Sequence, residues 1–387
     1  MKKRMSAFLL VAVLACTVLG ITAHANEWDE LKYLAAKGLS VSDDTLYITD
    51  SYTNQIYSYD GETLTLLAGN PNWIDGIPTP GYLDGVAEYA LFDEPSMAVS
   101  WNGGVIVSDT QNNVLRFIKD GVVTTYAGTG QAGYTDGDVS ASAFYLPTGL
   151  AVGDDGTLYV ADAGNGVIRA ITTAGVVSTY ADDFCAPSGL YWYEGVLYVT
   201  DVEANVVLSV QDGVVSLVAG VAISLEEEMV AGYQDGAADQ ALFSLPQGIY
   251  VDEKGIYVAD VGNDVVRKIA SGDVTTVYTS ELISDPISIV SYQGTLLVGD
   301  NLVRNIFGFT DDSDTLLQPV QDVQSEAQST EQTESQSISN DSAVNVVLIV
   351  LASLVVVGLV GAVVVLQRKK KTSAGQATPE ETTNELE

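Results

Sequence analysis

Residues 133–181 read GYTDGDVSASAFYLPTGLAVGDDGTLYVADAGNGVIRAITTAGVVSTYA. Four short runs stand out: PTGLAV, LYVAD, VIRAI and VVSTYA. They are rich in β-branched and aromatic residues, as a pleated, half-buried surface favours. Between them lie Asp-Asp-Gly, Gly-Asn-Gly and Ala-Gly, which are turn chemistry. The stretch is therefore a unit of four short antiparallel strands.

The unit recurs. LYITD, VIVSD, LYVAD, LYVTD, IYVAD and LLVGD end in Asp50, Asp109, Asp162, Asp201, Asp260 and Asp300. Most are preceded by a Gly- or Pro-marked apolar strand, such as PSGLYW or PQGIYV, and followed by two more strands. Six four-stranded units predict an all-β, six-bladed β-propeller over 26–320. An open solenoid would need capping units, and none is visible. The ring closes either with a last strand at Asp314–Val320 or with Asp29–Ala35 as a clasp; the sequence leaves both open.

The order G-Y-x-D-G, A-x-F, P-x-G-[IL], LYVAD, a turn Asn, [VI]-[VI]-R and V-x-T-x-A-G resembles the NHL repeat. The likeness covers about residues 36–310 and is weakest in the first and last units. It implies the propeller fold. It does not choose an activity, because one such fold hosts lyases, lactonases, RNA binders and scaffolds.

Composition removes several classes. The chain has 16 Lys+Arg against 51 Asp+Glu, a net charge of -35, which is incompatible with a phosphate backbone and excludes nucleic-acid binding. Its single histidine is His24, inside a segment expected to be removed. A mature chain without histidine has no Ser-His-Asp triad, histidine base or His-ligated zinc. The resemblance to zinc-dependent amidating lyases therefore fails. A lactonase-like, calcium-dependent hydrolase with its site in the central channel remains the alternative reading, since Ca²⁺ takes oxygen ligands.

Two apolar segments set the expected address. Residues 1–25 have a basic start, an apolar run and Ala23-His24-Ala25, the pattern of a cleaved signal peptide. An uncleaved anchor and a lipoprotein signal at Cys16 are the other readings. Residues 344–366 form an apolar run whose helix would be about 34 Å long, enough to span a bilayer. Arg368-Lys369-Lys370-Lys371 follows it, so the short tail over 367–387 is expected inside and the propeller outside. Residues 321–343, rich in Gln, Ser, Thr and Glu, read as a flexible stalk. The expected location is the cell membrane, single-pass.

The connections before units 2, 3 and 5 are long, acidic and aromatic, with no Lys or Arg in 69–95, 128–147 or 220–246. They carry the binding candidates Trp73, Tyr82, Asp84, Tyr134, Asp136, Glu226, Glu227, Glu228, Tyr233 and Asp235. Aromatics give rigid contact area, and carboxylates attract cations. The expected function is thus a binding module for a protein, glycan or cationic ligand, with no cofactor expected and calcium the one metal the composition allows. The unit-ending aspartates are expected to bond local backbone N–H groups and shape turns rather than hold metal.

Overall fold

The computed structural model describes residues 34–71, 79–221, 230–279 and 281–309. The expected signal peptide, stalk, transmembrane helix and tail lie outside the described residues, as do both candidate closing strands except Leu34 and Ala35. Among the described residues no helix is long and apolar enough to cross a membrane.

Each repeat folds as one antiparallel sheet, and six sheets make six blades. The inner strands are Ala36–Ser42, Pro95–Trp101, Pro147–Val152, Pro187–Tyr193, Pro246–Asp252 and Pro286–Tyr292. Each packs on the inner strands of its two neighbours, and the sixth packs on the first, so the ring is closed around an axis. The six repeated aspartates each end the second strand of their blade.

Every blade buries its faces against its neighbours, which is why the unit must repeat. There is one apolar cluster per junction. Between blades 2 and 3, for example, Val99, Trp101, Ile106 and Leu115 meet Phe144, Leu150, Leu158 and Val160. The P-x-G signature marks where adjacent inner strands approach most closely. A Cβ on Gly149 or Gly189 would collide with the carbonyl oxygen of Ser188 or Gln247 in the following blade. Only glycine lets the backbones come that close.

Blades 6 and 1 are joined by hydrogen bonds. Ser288 Oγ donates to Ala36 O at 2.6 Å, and Tyr292 OH to Asp44 O at 3.0 Å. The Arg304 guanidinium lies 4.5 Å from the ring centre of Tyr52.

Among the described residues blades 1 and 4 have the expected four strands and blade 6 has three. Blades 2, 3 and 5 gain a two-residue fifth strand on their outer edge, Gly85–Val86, Gly137–Asp138 and Gly236–Ala237. These strands come from the long acidic connections. The connection before blade 2 leaves near the second-to-third-strand turn, where Asn112 Nδ2 donates to Gly81 O. It then runs down the outer strand to the opposite end, where Ala87 N donates to Gly121 O. It thus covers the unpaired edge of its blade, which would otherwise be open to pairing with another chain.

Candidate functional site

Three of the acidic connections are held by one construction repeated three times. In blade 2 the third strand places Arg116 opposite Val107. The arginine is fully buried and uses all its donors. Nε and Nη2 donate to Asp84 Oδ1 at 3.0 and 2.7 Å, and Nη1 to Asp109 Oδ2 at 2.6 Å. The remaining donors reach the carbonyls of Leu83 and Leu91. Its guanidinium lies between the rings of Tyr82 and Phe92, 5.0 and 4.8 Å from their centres. Arg169 repeats this with Asp136, Asp162, Tyr134 and Phe144, and Arg267 with Asp235, Asp260, Tyr233 and Phe243.

Six of the sequence-derived candidates therefore sit in these latches. Asp84, Asp136 and Asp235 also accept from the backbone N–H of Thr125, Thr179 and Thr276. Tyr82, Tyr134 and Tyr233 share a hydrogen bond with the hydroxyls of the same threonines at 2.7–2.9 Å. Each Tyr–Asp pair is brought together on the outer edge of its own blade; the three pairs do not converge on the axis. The tyrosines stay about half exposed, at 49%, 57% and 58%. Trp73, Glu226, Glu227 and Glu228 lie outside the described residues.

The unit-ending aspartates fall into two groups. Asp50, Asp201 and Asp300 accept from backbone N–H groups two or three residues on, as turn chemistry predicts. Asp109, Asp162 and Asp260 instead take the buried side of the latches. Asp109, Asp162, Asp201, Asp260 and Asp300 also accept a backbone N–H from the end of the connection before their blade. Burial pushes Asp109 up to about 6, against the donors of Asp93, Asn112 and Arg116 that hold it down. Asp162 and Asp260 are raised for the same reason.

The arginines are the residues that reading by composition undervalued. Their signal was present: Arg116, Arg169 and Arg267 occur only in units preceded by G-Y-x-D-G. The same strand position holds Tyr57, Leu208 and Phe307 in blades 1, 4 and 6, opposite Ile48, Val199 and Val298.

The second region is the axial channel. Towards the end bearing the acidic connections it narrows to a cavity of about 160 Å³, lined by Lys37, Ser96, Thr148, Ser188 and Gln247 among others. Lys37 Nζ lies 4.0 Å from Glu94 Oε2, and burial lowers its pKa while Glu94 raises it. Towards the other end it opens to about 490 Å³. Leu39, Met97, Leu190 and Ile249 line both cavities and separate them with an apolar neck.

The channel does not fit calcium. Ca²⁺ needs 6–8 oxygen ligands, normally with carboxylates among them. Among the described residues no carboxylate lines either cavity, and the Lys37 ammonium would repel a cation in the narrow one. Among the described residues no three His, Cys, Asp or Glu side chains are grouped to hold a metal.

Fold and latches together define a six-bladed repeat propeller with inserted edge strands. The family model of the NHL repeat matches residues 144–170, the core of the unit quoted first. The chain thus carries an NHL repeat at 144–170 within a six-bladed propeller. A stretch of 142 residues is 34% identical to SUPPRESSOR OF QUENCHING 1, chloroplastic, of Arabidopsis thaliana; it is 35% of this chain and 14% of that much longer protein. Among solved structures, an auxiliary nutrient binding protein from Bacteroides ovatus is similar over 73% of each chain, with TM-score 0.52 and 14% identity. A protein of unknown function from Bacteroides thetaiotaomicron is similar over 71% of this chain and 69% of its own, with TM-score 0.51 and 17% identity. At these identities the structures show a shared fold.

Proposed function

We propose that the chain is a binding module displayed outside the cell. In this reading 1–25 are a cleaved signal peptide, 26–320 the propeller, 321–343 a stalk, 344–366 one membrane helix and 367–387 an internal tail. The side bearing the acidic connections meets the partner, a protein, glycan or cationic ligand. One observation carries the reading: Tyr82, Tyr134 and Tyr233 are half exposed yet fixed by an arginine on one face and a threonine at the hydroxyl. Rigid, amphipathic aromatics give contact area at low entropy cost. Tyr145, also exposed, extends this surface on blade 3. A propeller of the same fold in Bacteroides ovatus is an auxiliary nutrient binding protein, so the architecture can serve binding.

The test has two arms. Protease added to intact cells should release the propeller; protection would refute the topology. Photocrosslinking from a reactive group at Tyr145 should capture a partner on those cells. Capture should fall with Trp73→Ala or with Glu226→Gln, Glu227→Gln and Glu228→Gln combined. Capture unaffected by both would remove the acidic connections as the site.

A further inference from the structure

We propose a second binding site, for an organic cation, in the wide end of the axial channel. It does not rest on the surface reading above, since it lies inside the ring and beyond the apolar neck. Its volume, about 490 Å³, is that of a small-molecule pocket.

The chamber departs from the sixfold repeat at one place. Tyr191 and Tyr250 occupy an inner-strand position that is Ser40, Val99, Ala151 and Val290 in the other blades. Both face the chamber, in adjacent blades, and meet edge to face at 5.1 Å. Trp192 adds to the same wall and is held flat against Tyr159, 5.1 Å away at 9°. The repeat does not need these rings, since other blades manage with small residues there.

Among the described residues no charged side chain lines the chamber. Asp252 lies two residues beyond Tyr250 on the same inner strand, hence on the same face, at the position that chamber-lining Ser42 holds in blade 1. Burial first, with Asp252 among the groups adding to it, raises the pKa of Tyr191 and Tyr250. Lys254 stands on the same turn, and the Lys268 ammonium lies 5.2 Å from the ring centre of Tyr257, the strand partner of Tyr250. The aromatic wall thus has a carboxylate beside it, while the lining mixes four serines with aromatic and aliphatic side chains.

That combination selects a ligand class. Anions are repelled. A metal ion would lose its water and find no carboxylate in exchange. A sugar would need more converging hydrogen-bond groups than the serine hydroxyls supply. An alkylammonium is weakly hydrated, is attracted by the Asp252 carboxylate and binds over aromatic faces.

Calorimetry of the purified full-length chain tests this, with choline as the probe, its neutral isostere 3,3-dimethylbutan-1-ol, and glucose. Choline should bind about tenfold or more tighter than the isostere. Ser100→Phe, which fills the chamber from the opposite wall, should abolish binding. Asp252→Asn, which keeps an acceptor for the turn N–H groups of Lys254 and Gly255, should leave the fold intact and weaken choline about threefold. Trp192→Leu should weaken it about tenfold. No choline binding, equal affinity for the isostere, binding of glucose in its place, or choline affinity unchanged in the Asp252→Asn variant would each overturn the proposal.

Discussion

Arg169 Nη1 donates to Asp162 Oδ2 at 2.8 Å, and neither side chain retains any exposure. The same guanidinium holds Asp136, 33 positions earlier, on a connection that has no other charged partner there. A buried arginine thus fastens the inserted edge strand to the blade. Its cost of desolvation is offset only because every donor finds an acceptor.

Removing the arginine should therefore be expensive. Arg169→Ala leaves Asp162 buried and unpaired and should cost about 3–5 kcal/mol. Arg169→Lys should not restore it, because an ammonium cannot serve two carboxylates and two carbonyls in a plane. Asp136→Asn should cost about 1 kcal/mol, since that carboxylate is 47% exposed. Urea denaturation of the three variants checks the order.

The close approach of inner strands predicts a second sensitivity. Gly149→Ala and Gly189→Ala each place a methyl group against a backbone carbonyl of the next blade. Backbone cannot yield as a side chain can, so each should cost about 1–3 kcal/mol or more. Gly195→Ala, at an open turn with nothing near its Cβ, tests positive φ without collision and should cost less. Thermal melts of the three variants give the comparison.

Lys37 is the charged exception in the narrow cavity, and burial weighs more on it than Glu94 helps. Lys37→Met should stabilise the fold by about 1 kcal/mol at neutral pH. The folded lysine has a pKa below its ordinary 10.5. The unfolded chain therefore holds more protons between those values, and wild-type stability rises with pH there. The advantage of Lys37→Met should shrink across that alkaline window. Denaturation of both proteins at neutral and alkaline pH shows whether it does.

The channel lining and the absence of a grouped ligand set among the described residues predict indifference to chelators. Adding EDTA to the full-length chain should move Tm by less than about 1 °C. Unfolding on chelation would point to a calcium site and return the hydrolase reading.

The repeat was legible in the sequence because strand alternation, turn residues and recurrence are local properties, and six copies average out the degenerate ones. LYVAD and P-x-G were read as strands and stand as strands. The edge strand at Gly137–Asp138 was not legible: two residues have no periodicity, and their pairing partners at Val177 and Val176 lie 40 and 38 positions away. The outer-edge position of Tyr134 and Asp136 was hidden for a related reason, since acidity in a loop looks alike whether it serves a ligand or a buried arginine.

By itself the sequence determined the blade number and the strand order, because composition and period depend on no contact. Tertiary structure alone decided what the charges do. Asp136, Asp162 and Arg169 are three separate letters until the blade folds and buries them together, and only burial turns a surface carboxylate into an obligatory ion-pair partner. It alone decided, too, that Tyr191 and Tyr250 of neighbouring blades meet on one wall of the channel, since their contact exists only where two repeats stand side by side around the axis.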